Sequence, residues 1–199
     1  MEWKKIIREE TEAIYLQVVE IRRHLHQHPE LSFEEKETSA FIRNLLDKWG
    51  VSYEYPYVNH GFVATVEGER GPGKTIALRT DMDALPIWEE TGLEFSSANP
   101  GIMHACGHDM HMASMLGVLK LLHSSRDRLR GTVLFIFQPA EEIIPGGARL
   151  MLEEGIFKKI QPDVILAQHV LPDMEAGRVG FKSGQYMASS DELYITIRG

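Results

Sequence analysis

Three apolar segments, 76–78, 133–137 and Val164–Ala167, constrain the fold of this chain more than any other feature. A strand with one face in solvent alternates apolar and polar side chains, whereas an uninterrupted apolar strand is typical of a sheet covered on both faces. These segments therefore predict an α/β fold, with an open, mainly parallel sheet that is flanked by helices on both faces.

Helical patterns precede and separate the predicted strands. Apolar residues recur at helical spacing up to about Gln27, and Pro29 ends that helix because proline lacks a backbone N–H and clashes with the preceding turn. A second helix is predicted to stop at Gly50, a residue suited to a left-handed cap. This second helix spans 41–49, and further helices are predicted at 110–122 and 148–153. Strands are also predicted at 62–66, 75–78, 132–137, 178–181 and 193–197.

Length, charge and cysteine content limit the classes of function. The 199 residues suit one α/β domain, and the formal net charge of −8 disfavours nucleic acids and anionic membranes, because phosphate binding requires a cationic face. Cys106 is the only cysteine, so no internal disulfide can form. Residues 1–12 are too polar for a signal peptide. We therefore expect a cytoplasmic protein whose partner is a small molecule.

Residues able to bind metal follow each of the three apolar segments. The first segment leads into Asp81 and Asp83, the second into Glu141 and Glu142, and the third into His169. Open α/β sheets bind their ligands beyond the carboxyl ends of the strands, where loops from several strands meet. We therefore expect these side chains to converge at one edge of the sheet.

A fourth group lies just before the predicted helix at 110–122. It contains Cys106 and His108, and Asp109 is expected to cap the helix by accepting from its free amides. A mixture of thiolate, imidazole and carboxylate favours zinc, manganese, cobalt or nickel over calcium and magnesium, which prefer sites made of oxygen atoms. The sequence thus predicts a site for a transition metal of this group.

Two adjacent carboxylates, Glu141 and Glu142, predict a division of labour. In an extended segment neighbouring side chains point to opposite sides, so one carboxylate is expected to hold metal while the other acts on water. Metal-assisted hydrolysis needs this combination, because the metal lowers the pKa of bound water and a free carboxylate transfers the proton.

Five motifs carry a resemblance to a known family: RRHLHQHPE at 22–30, RTDMDALP at 79–86, HACGHD at 104–109, QPAEE at 138–142 and QH at 168–169. In this order they resemble the M20 metallopeptidases, in the amidohydrolase branch that includes aminoacylase-like, hippurate and auxin-conjugate hydrolases and N-acetyldiaminopimelate deacetylase. The resemblance implies hydrolysis of the amide bond of an N-acyl amino acid.

The resemblance also implies the roles of individual residues. It makes Cys106, His108, Glu142 and His169 the ligands of two divalent ions of zinc, manganese, cobalt or nickel. The candidate catalytic residues are Glu141, as general base and acid, and Asp83, in a supporting position beside the metal centre. His104 is expected to support the ligands without binding metal itself.

Members of this family continue well beyond residue 199, with a smaller lid or dimerisation domain and a further histidine ligand. We therefore expect residues 1–188 to form the N-terminal part of the catalytic domain and residues 189–199 to form the first strand of the lid. The resemblance implies a homodimer or a higher homo-oligomer for the full-length form. We expect the 199-residue chain alone to bind metal poorly and to turn over little.

Three alternatives remain open from the sequence. The first is a dipeptidase or aminopeptidase with the same two metals, and the second is a noncatalytic metal-binding module. The third is a cysteine hydrolase in which Cys106 attacks with the help of His108. The remaining histidines are expected to have structural or surface roles: His24, His26, His28, His111 and His123.

Overall fold

The computed structural model describes residues 2–187, 193 and 195–198. This part of the chain contains four α-helices and five strands. In chain order they are α1 (Glu2–Gln27), α2 (Lys36–Trp49), β1 (Ser52–Tyr57), β2 (Gly61–Glu67), β3 (Thr75–Asp81), α3 (His108–Ser124), β4 (Thr132–Gln138), α4 (Gly147–Glu154) and β5 (Val164–Ala167), with a short 3-10 helix, Arg126–Arg128, after α3. No helix among the described residues combines the length and apolarity needed to cross a bilayer.

The sheet has the strand order β1-β2-β4-β3-β5. β3 pairs in parallel with β4 and with β5, whereas β1 with β2 and β2 with β4 are antiparallel. The α/β fold is therefore confirmed, with a mixed sheet. The three strands that precede the candidate ligands are the parallel ones, so their carboxyl ends lie at the same edge.

Apolar side chains cover the two faces of the central strands. Phe135 and Phe137 point to the face where α1, α2 and α3 pack, and Phe137 stacks on Phe62 with 4.5 Å between ring centroids. Leu134 and Ile136 point to the opposite face, where Met151 of α4 packs. Helices on both faces explain why β4 carries an unbroken apolar sequence.

β5 differs from the central strands, because all four of its residues are exposed. Leu166, for example, is 54% exposed, whereas Leu134 of β4 is 3% exposed. The strand lies at the edge of the sheet with β3 as its neighbour, and the described helices pack against the central strands. Coverage on both faces is thus correct for β3 and β4 but wrong for β5 within the described residues.

Three other local assignments from the sequence differ from the structure. The edge strand β1 was not predicted, because its sequence SYEYPY carries a proline and an acid and faces solvent over most of its length. Residues 178–181 were predicted as a strand but are exposed and pair with no described strand. The predicted strand at 193–197 is absent from its described residues, and the predicted boundary after 188 falls among residues 188–192, outside the described part of the chain.

Candidate metal centre

The predicted ligands from three separate loops come together at the carboxyl edge of the parallel strands. Cys106 and His108 lie at the start of α3, and His169 follows β5. One ligand atom from each of these residues lies within 4.8 Å of the other two, and Cys106 Sγ is 3.4 Å from His169 Nε2. Three of the four predicted metal ligands therefore meet around one space.

A second group shares His108 with the first. His108 Nε2 lies 3.7 Å from Glu142 Oε1 and 4.0 Å from Glu141 Oε2. Glu142, the fourth predicted ligand, thus reaches the same imidazole that faces Cys106. The two overlapping groups place sulfur, nitrogen and oxygen donors around His108, the donor set that zinc and its neighbouring transition metals accept.

His108 is oriented so that one ring nitrogen is available for a cation. Its Nδ1 donates to the backbone oxygen of Asp83 at 2.9 Å. Its Nε2 is buried and has no hydrogen-bond partner among the described residues. An unpaired buried nitrogen costs free energy, and a bound metal ion would remove that cost. Such orientation by the other ring nitrogen is usual for metal-binding histidines.

The surroundings of His108 favour positive charge. Burial alone would lower its pKa, but the side chains of Asp83 and Cys106, together with the charge of Asp81, outweigh burial and raise the pKa to about 11. The centre therefore stabilises a cation at this position. Because metal ligation requires a neutral imidazole, a metal ion would take the place of that proton.

Glu141 and Glu142 do not point to opposite sides, so that prediction is wrong. Residues 141–143 form a bend, and Ala140 has a φ of 50°, so the alternation of an extended strand does not apply. What distinguishes the two carboxylates is their environment. The Glu141 side chain is 41% exposed and that of Glu142 is 21% exposed. Burial, then the negative charges of Glu142 and Asp81, raise the pKa of Glu141.

Asp83 is buried and holds the neighbouring backbone. Its Oδ2 accepts from Ser32 Oγ at 2.6 Å and from the Glu142 backbone N–H at 2.9 Å. Burial would raise the pKa of this carboxyl, but the His108 ring, 3.4 Å from Oδ1, the Ser32 hydroxyl and the backbone N–H groups of Glu142 and Glu141 lower it. An ionised Asp83 thus fixes both a candidate ligand, His108, and the backbone of another, Glu142.

Comparison with known proteins places this geometry in a family. The sequence model of peptidase family M20/M25/M40 matches residues 77–194. A relative named N-acyl-L-amino acid amidohydrolase, from Geobacillus stearothermophilus, is 41% identical over 196 residues, which are 98% of this chain and 52% of the relative. This chain belongs to the M20 family. The resemblance noted from the five motifs is confirmed.

Two further relatives bear on the site of this M20 chain. A Bacillus subtilis protein named N-acetylcysteine deacetylase is 46% identical over 188 residues, 94% of this chain and 48% of the relative. A solved structure from Bacillus subtilis, described as a dinuclear metal-binding peptidase of the M20 family, is 46% identical with a TM-score of 0.76 and covers 81% of this chain and 45% of that one. The chain spans about half the length of the curated relatives it matches.

The turn that carries Glu141 in this M20 chain depends on a residue that sequence reasoning missed. The backbone N–H of Ala140 donates to Glu35 Oε1 at 2.6 Å, and its carbonyl accepts from Gly147 N at 2.7 Å. Glu35 is fully buried, and burial raises its pKa to about 7 despite the hydrogen bonds it accepts. No sequence pattern marks Glu35 as buried, since it precedes α2 in an acidic stretch.

Asp109 departs from its predicted role, and His26 has a structural role, as predicted. Asp109 makes no cap, because the N-cap residue Gly107 has no side-chain cap bond and the Asp109 carboxylate instead lies 2.8 Å from Arg22 Nε and from His26 Nδ1. His26 also lies 3.1 Å from Glu89 Oε1. These carboxylates, Asp109 first, raise the pKa of His26 against the opposing effect of burial. α1 is thereby joined to Asp109, the residue next to His108.

The other histidines divide by burial. His24 stacks on Phe41 at 4.0 Å, and His28 is exposed, as expected for structural and surface residues. His104 is 4% exposed, and neither ring nitrogen has a partner among the described residues. Burial lowers the pKa of His104 to about 4. His104 is therefore neutral, and any support it gives the ligands is through packing.

Proposed function

We propose that this M20 chain forms the metal centre of an amidohydrolase that cleaves the amide bond of N-acyl amino acids, such as N-acetyl or N-benzoyl conjugates. The observation that supports it most is the convergence of Cys106, His108, Glu142 and His169 around the unpaired Nε2 of His108. The names of the amidohydrolase and deacetylase relatives support the substrate class.

In this proposal Cys106, His108, Glu142 and His169 hold two divalent ions of the zinc, manganese, cobalt or nickel group. When bound, such ions lower the pKa of water to near neutrality and polarise the substrate carbonyl. The thiolate and imidazole donors disfavour calcium and magnesium. Asp83 keeps His108 and the Glu142 backbone in place through the contacts described above.

Glu141 performs the proton transfers. Its carboxylate accepts a proton from the attacking water, whose oxygen bonds to the carbonyl carbon, and then delivers that proton to the nitrogen as the C–N bond breaks. The products are a carboxylic acid and a free amine. Two features of Glu141 support this role: it is more exposed than Glu142, and its raised pKa brings it closer to neutral pH.

Glu141→Gln tests the assignment of the base. In the full-length form, we expect turnover of N-acetyl and N-benzoyl amino acids to fall by at least about 100-fold, because proton transfer of this kind contributes about 10²- to 10⁴-fold. Metal content, measured by elemental analysis, should stay at the level of the unmodified protein. Normal turnover in Glu141→Gln would show that another group is the base.

A substrate and metal panel separates the alternatives. Preference for N-acyl amino acids over dipeptides supports the amidohydrolase, and the reverse preference supports a dipeptidase or aminopeptidase. Cys106 Sγ lies 3.4 Å from His169 Nε2, a pair that a cysteine hydrolase could use. Activity that resists a chelator would favour that cysteine mechanism, whereas loss and recovery with metal would exclude it. Metal binding without turnover of any substrate would favour a noncatalytic module.

Assembly and location belong to the same proposal. We expect a homodimer or a higher homo-oligomer in the cytoplasm, acting on a small molecule. Light scattering after size-exclusion chromatography measures the assembly, and fractionation of the source cells measures the location.

A further inference from the structure

His169 lies on a weakly supported segment of the chain. It follows β5, a four-residue strand at the edge of the sheet, and both β5 and His169 are exposed. The His169 ring makes a local bond, from Nδ1 to the Val170 carbonyl at 2.8 Å, which does not join the segment to the rest of the protein. Because ordering an exposed segment costs conformational entropy, a defined position for His169 requires contacts to a rigid element.

His111 provides such a contact. The backbone N–H of Val170 donates to His111 Nε2 at 3.0 Å, and His111 Nδ1 lies 2.9 Å from Asp81 Oδ1. Since Nε2 accepts a hydrogen bond, it carries no proton, so the proton is on Nδ1 and is donated to Asp81. His111 is therefore a neutral imidazole in one tautomer, with both nitrogens in use.

This assignment argues against His111 as a metal ligand. One ligand atom each from Asp81, His108 and His111 lies within 4.8 Å of the other two, which by distance alone could hold an ion. A metal on His111 would have to displace either the Val170 amide or Asp81. His108 differs, because its Nε2 has no partner among the described residues.

The element that carries His111 is rigid. His111 is 1% exposed and lies three residues after His108 on the same face of α3. Its partner Asp81 is bound by Arg79 Nη1 at 2.7 Å, and Arg79 Nε donates to Gln138 Oε1 at 2.8 Å. A chain of contacts thus runs from β4 through β3 and α3 to the segment after β5.

A second contact packs the segment after β5 against the loop that carries Cys106 and His108. Gly107 separates Cys106 from His108 and has a φ of 87°. A Cβ atom at this position would lie 2.4 Å from Val170 Cγ2, so Val170 packs where a side chain on residue 107 would be. The hydrogen bond to His111 and the packing on Gly107 hold Val170 from two sides.

We propose that His111 is a positioning residue that anchors Val170 to α3 and thereby sets the distance between His169 and Cys106. The role of this anchor in metal binding rests on the metal centre proposed above. Loss of such a supporting contact lowers metal affinity by about 10- to 100-fold in known sites.

Two substitutions each keep one of the two hydrogen bonds of His111 and remove the other. His111→Gln places an amide oxygen near the position of Nε2 and can still accept from Val170, whereas His111→Asn places an amide nitrogen near Nδ1 and can bond only Asp81. We expect His111→Gln to retain Co²⁺ affinity within about threefold, and His111→Asn and His111→Ala to lose about 10- to 100-fold. The charge-transfer band between thiolate and Co²⁺ should weaken in step, because it reports Cys106 in the same centre.

Amide hydrogen exchange at Val170, with and without added Co²⁺, gives a readout that does not require metal. Protection should be lost in His111→Asn and His111→Ala and kept in His111→Gln. Unchanged protection in all three variants would overturn the proposal, and so would lost protection with unchanged Co²⁺ affinity. Equal loss of Co²⁺ in His111→Gln and His111→Asn, with Val170 still protected in the former, would show that His111 is itself a ligand. Failure of the unmodified full-length form to bind Co²⁺ would overturn the proposed metal centre, while exchange at Val170 still tests the anchor.

Discussion

The two sides of the candidate metal centre are built differently. His108 belongs to α3, is 1% exposed and is bound through Nδ1 to the backbone of Asp83. His169 is exposed and follows an edge strand. It is held through Val170, which contacts His111 and Gly107, and through its own ring, which lies 3.4 Å from Cys106 Sγ and 4.6 Å from the His111 ring centroid. One side is therefore part of the core, and the other is docked against it. Loss of the buried side should therefore reduce metal affinity more than loss of the exposed side.

Removing one imidazole from each side tests this difference most directly. His108→Ala should lower Co²⁺ affinity by more than about 100-fold, beyond the loss caused by a supporting contact, because both donor groups share this ring. His169→Ala should lower Co²⁺ affinity by less than His108→Ala does, since Cys106, His108 and Glu142 remain. Competition titration with a chromogenic chelator measures both.

His28→Ala is the matched control, because His28 is exposed at the end of α1 and outside both groups. Its Co²⁺ affinity should equal that of the unmodified protein. A larger loss for His169→Ala than for His108→Ala would reverse the comparison.

A second pair of variants compares stability in place of metal binding. Leu134→Ala in β4 should lower the free energy of unfolding by about 2–5 kcal/mol, because the side chain is 3% exposed between packed elements. Leu166→Ala in β5, where the side chain is 54% exposed, should change it by about 0.5 kcal/mol or less. Urea titration of both variants measures the difference. Equal destabilisation would mean that β5 is covered in solution.

A third comparison concerns pH and the buried side of the molecule. Glu35 has its pKa raised to about 7, above its ordinary value of 4.5, because it is buried. A carboxyl with a raised pKa in the folded state favours folding while it is protonated, so its contribution is lost as pH rises from about 5 to about 8. Glu35→Gln keeps an oxygen for Ala140 N and cannot ionise. The difference in Tm between pH 5 and pH 8 should therefore be smaller in this variant than in the unmodified protein.

Asp163→Asn is the control for that measurement. Asp163 is an exposed carboxyl bound to Lys74. It lies beside the start of β3, at the opposite end of the strand from the candidate metal centre, and the contact with Lys74 lowers its pKa. The Asp163→Asn variant should show the same fall in Tm from pH 5 to pH 8 as the unmodified protein. An equal pH dependence in Glu35→Gln would mean that Glu35 does not carry the effect.

The sequence predicted the parallel strands and their ligands because both depend on local patterns. Unbroken apolar segments located β3, β4 and β5, and polar residues at their ends located side chains of the candidate metal centre. What failed depends on contacts between distant positions. His26 and Asp109 are 83 residues apart, and no periodicity could pair them. The bend at Glu141 likewise follows from Glu35, which is 105 residues from Ala140.

His111 left a signal in the sequence that did not settle its role. It lies three positions after His108 in a helical segment, so both rings had to share a face of α3. That spacing predicts proximity to the centre, but it does not tell a ligand from a support. The distinction required the Val170 amide, whose position depends on how β5 docks.

The contact between Gly147 and the residues after β4 has a consequence for variation in the family. A Cβ on Gly147 would lie 1.8 Å from the Pro139 carbonyl oxygen, so the start of α4 is pressed against the end of β4 and only glycine fits. A larger residue at position 147 would therefore have to displace the end of the segment that leads from β4 to Glu141 and Glu142. Variation at this position should be rejected during evolution.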